Sequence, residues 1–268
     1  MVHLAWPFLS SRQSAVRQRL IFALDVASMA EVKEYVSLLK DEVGLFKVGK
    51  QLFLHGGPQV VRFIQNKGGE VFLDLKFHDI PRTVARTGVE ATRLGVRMFD
   101  LHASGSSEMM HQTLVDVNKV CKTESLRRPK ILAVTVLTSL NKDDLKRTGV
   151  VTGVENQVVR LAKLAQEAGM DGVVASPMEI ARIRRECSKN LLLIVPGVRS
   201  QGETWDDQKR VLTPEEAMRI GADYLVVGKP IRDAKDPREA ARQIVREMEQ
   251  GLTSSHGTTR LFRREAKR

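Results

Sequence analysis

Eight short apolar runs recur along the chain between about residue 20 and residue 250, and helical patterns fill the spaces between them. The runs cover residues 20–26, 45–48, 71–75, 98–102, 131–137, 172–175, 191–195 and 224–227. Most are continuously apolar rather than alternating, the pattern of parallel strands covered on both faces. The stretches between them place apolar residues at helical spacing. Val158, Leu161, Ala162 and Ala165 do so in one, and Ala240, Ala241, Ile244, Val245 and Met248 in another. Eight strand–helix units without a linker predict an α/β fold, a single-domain (β/α)8 TIM barrel. A doubly wound open sheet is the alternative, because strand count alone does not establish closure. The barrel is expected over residues 20–250, with a flexible extension over 1–19 and a disordered basic tail over 251–268.

The helix starts support this division. Ser28, Ser176, Thr213 and Asp236 each stand three residues before a glutamate (Glu31, Glu179, Glu216 and Glu239), and Pro177, Pro214 and Pro237 take the first helical position in three of them. No Gly-x-Gly-x-x-Gly follows the first strand, which weakens a dinucleotide-binding reading.

The segment Asp74-Leu75-Lys76-Phe77-His78-Asp79-Ile80-Pro81-Arg82-Thr83 closes the third strand. Asp74 and Lys76 are two apart and share a strand face. Opposite charges at the end of an apolar strand are costly to desolvate, so they mark either a stabilising ion pair or a site. Asp79 stands at the start of the next helix, where an acid is also favourable as a simple N-terminal charge.

Barrel enzymes gather their chemistry at the C-terminal ends of the strands. Here those ends carry Asp25, Lys47, Asp74 with Lys76, His102, Thr138 with Ser139, Arg199, and Gly228-Lys229. A single charged strand end is usually a cap or surface group, but five consecutive polar ends are hard to read that way. The seven–eight end suits a phosphate. Gly228 lets the backbone approach, Arg199 and Lys229 supply charge, and a helix N-terminus is nearby.

Other classes find little support. The formal charge is +11, of which residues 1–19 contribute +3 and residues 252–268 contribute +4. Basic ends of this kind are more often solvated than nucleic-acid-binding. Cys121 and Cys187 imply no disulfide framework and suit a reducing cytoplasm. No stretch approaches the roughly 20 apolar residues of a membrane span. The first 18 residues make a poor secretory signal and only faintly resemble an organelle transit peptide. His55, His78, His102 and His111 have no zinc-site spacing, and no nucleophile elbow or cysteine–histidine arrangement stands at a strand end. Asp74 and Asp79 could hold magnesium, but Lys76 competes for them. What remains is an alternating charge set, Lys47, Asp74, Lys76 and Asp79, suited to proton transfer without a cofactor.

These residues give the chain a family resemblance. Phe22–Val26, Phe46–Lys50, residues 72–81, 101–105 and 134–139, Asp171–Val174, residues 196–199 and Val227-Gly228-Lys229-Pro230 occur in the order of the orotidine 5′-phosphate decarboxylases of the bacterial kind. The aspartate-x-lysine-x-x-aspartate element is shared with related sugar-phosphate enzymes. The form with Phe77-His78 inside it and Ile80-Pro81 after it is more specific to the decarboxylases.

The resemblance implies cofactor-independent decarboxylation of orotidine 5′-monophosphate to uridine 5′-monophosphate, a step of pyrimidine biosynthesis. It implies Lys76 as proton donor to C6 of the pyrimidine, Asp74 set against the substrate carboxylate, and Lys47 and Asp79 as flanking charges. Asp79, Ile80 and Thr83 would reach the neighbouring subunit's site in a homodimer. Asp25 would contact the ribose, Thr138 the base, and Arg199, Gln208, Gly228 and Lys229 the phosphate end, with residues 199–210 as a candidate lid. Lys229 departs from the arginine usual in the family, keeping charge but losing the two-pronged hydrogen bonding. Two other readings stay open on the residues, a magnesium-dependent sugar-phosphate barrel enzyme and a non-catalytic barrel binding nucleic acid through its basic ends.

Overall fold

The structure, a computed structural model, describes residues 15–199 and 212–265. Eight parallel strands follow one another in sequence order: β1 (Leu20–Ala23), β2 (Leu45–Gly49), β3 (Glu70–Phe77), β4 (Met98–His102), β5 (Lys130–Val134), β6 (Gly172–Val174), β7 (Leu192–Pro196) and β8 (Tyr224–Val227). β8 pairs back onto β1 through Leu20 opposite Leu225 and Phe22 opposite Val227, so the sheet closes. Closure rules out the open-sheet alternative and confirms the (β/α)8 barrel.

The continuous apolar runs now have their physical reason. Ile21, Ala23, Leu45, Phe72, Met98, Leu132, Ile194 and Val226 point inward and pack on one another. Their strand neighbours Phe22, Phe46, Leu73, Phe99, Leu101, Val173, Leu193 and Leu225 point outward under the helices. With both faces buried, neither parity of the strand can be polar until the strand ends. The inward set occupies alternate positions, so the next inward layer toward the C-terminal ends contains Asp25, Lys47, Asp74 and Asp100. The alternation thus carries the charged residues to the rim.

The strand limits differ from the apolar runs in places. β1 stops at Ala23 rather than Val26, because the Asp25 N–H turns back to Ala23 O at 2.9 Å. β5 stops at Val134, with Thr135 adding one more bond to Val174 O at 3.2 Å before the chain leaves the sheet. β3 runs on to Phe77.

The expected helix starts are present. Ser28 caps Met29–Leu39 by accepting from Glu31 N, and Thr213 forms a reciprocal capping box with Glu216. Asp236 accepts from the N–H groups of Arg238 and Glu239. Ser176 differs. It accepts from Met178 N and heads a 3-10 turn, Pro177–Glu179, before the helix Ile180–Glu186. The last helix, Pro237–Glu265, runs through residue 250 as one element, past the place where the tail was expected to begin. Ala241, Ile244, Val245 and Met248 on it are buried.

The opposite rim is built for stability. Asp223, just before β8, pairs with Arg184 and with Arg19, the latter at 3.3 Å, and accepts from Leu193 N. Asp171, before β6, pairs with Arg128 at 2.7 Å and accepts from Ile131 N. These carboxylates tie strand starts to their neighbours at the N-terminal face, away from the charges described next.

Candidate active site

At the C-terminal ends of β1, β2 and β3 a cavity of about 250 Å³ is lined by Asp25, Lys47, Gly49, Lys50, Asp74 and Lys76. Register explains the grouping. Ala23 stands opposite Lys47, and Gly49 opposite Asp74, so Asp25 and Asp74 lie two residues beyond Lys47 in register and the long Lys47 side chain reaches up to both. Lys47 Nζ lies 3.0 Å from Asp25 Oδ1 and 3.2 Å from Asp74 Oδ2. The other oxygen of Asp74 accepts from Lys76 Nζ. One carboxylate is therefore shared by two ammonium groups, with Asp25 completing an alternating chain of charges.

Burial sharpens these interactions. The side chains of Asp74 and Lys47 are only 11% and 12% exposed. Burial works against ionising Asp74, but the Lys47 charge, a hydrogen bond from Asp100 and then the Lys76 charge outweigh it and hold the carboxyl at about 2. For Lys47, burial disfavours the charge, yet Asp74 and Asp25 more than offset it and hold the ammonium above its ordinary value.

Lys76 has an unusual backbone. Its φ is 50°, in the left-handed region that L-residues avoid at a cost of roughly 1–3 kcal/mol. The β3–β4 pairing shifts register between Leu73 and Phe77, and Lys76 stands inside that irregularity. Its N–H donates to Asp100 Oδ1 at 2.8 Å. Asp100 is fully buried, and burial followed by the neighbouring Asp74 charge pushes its carboxyl well above the usual range.

His102 ends β4 with its ring 5.2 Å from that of His78. Burial and then the His78, Lys50 and Lys76 charges lower it to about 4, so it is neutral near pH 7.

The remaining predicted residues stand farther out. Gly228 abuts the site, since a Cβ there would lie 3.3 Å from Ala23 Cβ and 3.8 Å from Asp25 Oδ2. Lys229 is exposed at the start of Lys229–Arg232, and Arg199, half-buried after β7, donates its N–H to Leu212 O. Thr138 is exposed beyond β5. Asp79, Ile80 and Thr83 are exposed, and Asp79 Oδ1 accepts from Ile80 N at 2.6 Å, outside the charge cluster of its own chain. Gln208 and most of the candidate lid lie outside the described residues.

Sequence reasoning missed two residues. Asp100 left a signal, a lone acid inside the apolar run Met98-Phe99-Asp100-Leu101. Arg232 left none. Its Nη1 donates to Asp25 O at 2.9 Å, tying the end of β1 to the segment after β8.

Comparison with known proteins supplies the lineage of this arrangement. A model of the "Orotidine 5'-phosphate decarboxylase / HUMPS family" matches residues 18–244. The orotidine 5′-phosphate decarboxylase of Geobacter sulfurreducens is 54% identical over 235 residues, covering 88% of this chain and 98% of that protein. That of Geotalea daltonii is 52% identical over 235 residues, with the same coverage of 88% and 98%. Among solved structures, the orotidine 5′-phosphate decarboxylase of Lactobacillus acidophilus superposes with a TM-score of 0.76 at 32% identity, covering 85% of this chain and 98% of that one. The chain therefore belongs to the orotidine 5′-phosphate decarboxylase / HUMPS family.

Proposed function

We propose that the chain decarboxylates orotidine 5′-monophosphate to uridine 5′-monophosphate, with Lys76 as the proton donor. The C6–carboxylate bond breaks, carbon dioxide leaves, and the electron pair remains on C6. An ammonium already placed there stabilises the developing charge and then delivers a proton to the carbon, giving the C6–H of the product. Asp74, held ionised, faces the substrate carboxylate and disfavours the bound ground state relative to the transition state. The observation that carries this reading is the shared carboxylate: Asp74 meets both Lys47 and Lys76 in a cavity at the barrel rim.

Asp25 contacts the ribose and Thr138 the base, while Arg199, Gln208, Gly228 and Lys229 hold the phosphate. These phosphate contacts, remote from the reacting carbon, contribute to rate by driving alignment.

The working unit is a homodimer in which Asp79, Ile80 and Thr83 complete the neighbour's site. Exposed apolar surface beside β3 supports this. Leu54 is 86% and Ile80 65% exposed, and a groove of about 520 Å³ lined by Phe53, Leu75, Phe77 and Leu94 lies between the adjoining helices. Two unpaired cysteines, Cys121 and Cys187, support a reducing cytoplasm as its location. No helix among the described residues is long and apolar enough to cross a membrane.

A spectrophotometric assay tests the activity. Orotidine 5′-monophosphate should lose its absorbance and release carbon dioxide at an undiminished rate with a chelator present. Turnover abolished by the chelator and restored by magnesium would favour a metal-dependent sugar-phosphate chemistry instead.

A further inference from the structure

We propose that Asp100 is a positioning residue, whose carboxyl group holds the Lys76 backbone in its left-handed conformation and so aims the ammonium into the cavity. This rests on the reading of Lys76 as the proton donor. Lysine has no short polar side chain with which to stabilise positive φ locally, as asparagine and aspartate do. Backbone strain of this kind persists only where the surroundings over-determine it.

What over-determines Lys76 is visible in the strand pairing. Leu73 stands opposite Phe99, while Phe77 stands opposite Leu101. β3 thus spans four steps where β4 spans two, and the surplus takes the Lys76 N–H out of the regular ladder. Asp100 is the one β4 residue between those pairs. Its Oδ1 takes the Lys76 N–H at 2.8 Å, standing in for the ladder carbonyl that the bulge has removed.

The same carboxyl faces the other end of Lys76. Asp100 Oδ2 is buried and lies 4.0 Å from Lys76 Nζ. A fully buried carboxyl is unfavourable unless it is bonded, so its place inside the barrel needs the N–H it satisfies. Burial and the Asp74 charge favour its neutral form. In that form it keeps an acceptor for the Lys76 N–H without adding a second negative charge to compete with Asp74 for the ammonium.

Variants of the full-length enzyme test the proposal. Asp100→Leu keeps the branched shape, with two methyl groups in place of the oxygens, but offers no acceptor. Its kcat should fall at least about a hundredfold while KM for orotidine 5′-monophosphate moves less than about threefold. Asp100→Asn keeps an acceptor oxygen in the same place and should recover at least about tenfold of that loss. Hydrogen exchange at the Lys76 amide should be slow in the wild type and the Asn variant and faster in the Leu variant.

The amide readout does not depend on the chemistry. If Lys76→Ala keeps its turnover, the proton-donor reading fails, while the positioning claim is judged by amide protection. A folded Asp100→Leu with kcat within about threefold of wild type, or with unchanged Lys76 protection, overturns the positioning role. If Asp100→Leu does not fold, the Asn variant decides alone. Slow Lys76 exchange with retained kcat supports the role, and a hundredfold loss of kcat in folded Asp100→Asn overturns it.

Discussion

Lys47 Nζ stands 3.2 Å from Asp74 Oδ2 across neighbouring strands, both side chains almost out of water. That contact lets a second cation be held on the same carboxylate. With Lys47 on one oxygen, the other oxygen remains for Lys76. Asp74 therefore stays ionised in a place where burial alone would neutralise it. An enzyme that needs both a fixed negative charge and an ammonium beside one carbon gains both from this arrangement.

Stability should record the Asp74 environment at low pH. Its carboxyl falls from an ordinary 3.8 to about 2 on folding. A depressed acid contributes stability that is complete above its unfolded value and disappears as pH falls through its folded one. The shift corresponds to about 2 kcal/mol. Between about pH 4 and pH 2 the wild type should lose unfolding free energy more steeply than Asp74→Asn. Parallel curves in acid denaturation would contradict the assignment.

If Asp79 completes a neighbour's site, a complementation experiment reveals it. Asp79→Asn and Lys76→Ala proteins should each be inactive alone and regain activity on mixing. A mixed dimer carries one site with both defects and one with neither, so full exchange should restore about a quarter of wild-type activity. No recovery after verified subunit exchange would mean that each site is built from one chain.

How much of this was legible beforehand can be judged residue by residue. The barrel was readable because parallel strands buried on both faces leave unbroken apolar runs. Asp25, Lys47, Asp74 and Lys76 were readable because charges gathered at several consecutive strand ends are hard to read as caps or surface groups. Asp100 was harder, since its role depends on a register shift between β3 and β4 that no local pattern encodes. The positive φ of Lys76 was hidden for the same reason, because lysine gives no hint of it in sequence. Arg232 acts across 207 residues on a backbone oxygen, and a contact of that kind leaves no trace in spacing.

Lys229 is the proposed phosphate contact at which the resemblance leads one to expect arginine. An ammonium is a point charge, while a guanidinium can grip two phosphate oxygens at once. Lys229→Ala should raise KM at least about tenfold, and Lys229→Arg should match or improve on wild type. The Ala effect should nearly vanish for the nucleoside lacking its phosphate. Equal losses on both substrates, measured as kcat/KM, would assign Lys229 to the fold and leave the phosphate to Arg199 and the local backbone.

The central claim is that Lys76 delivers the proton to C6, and turnover by Lys76→Ala tests it most directly. The variant should fold, with a melting temperature near that of wild type, and should bind uridine 5′-monophosphate in calorimetry. Its decarboxylation of orotidine 5′-monophosphate should be lost almost entirely. Activity above about a tenth of wild type, a barrier change under about 1.4 kcal/mol, would contradict the claim.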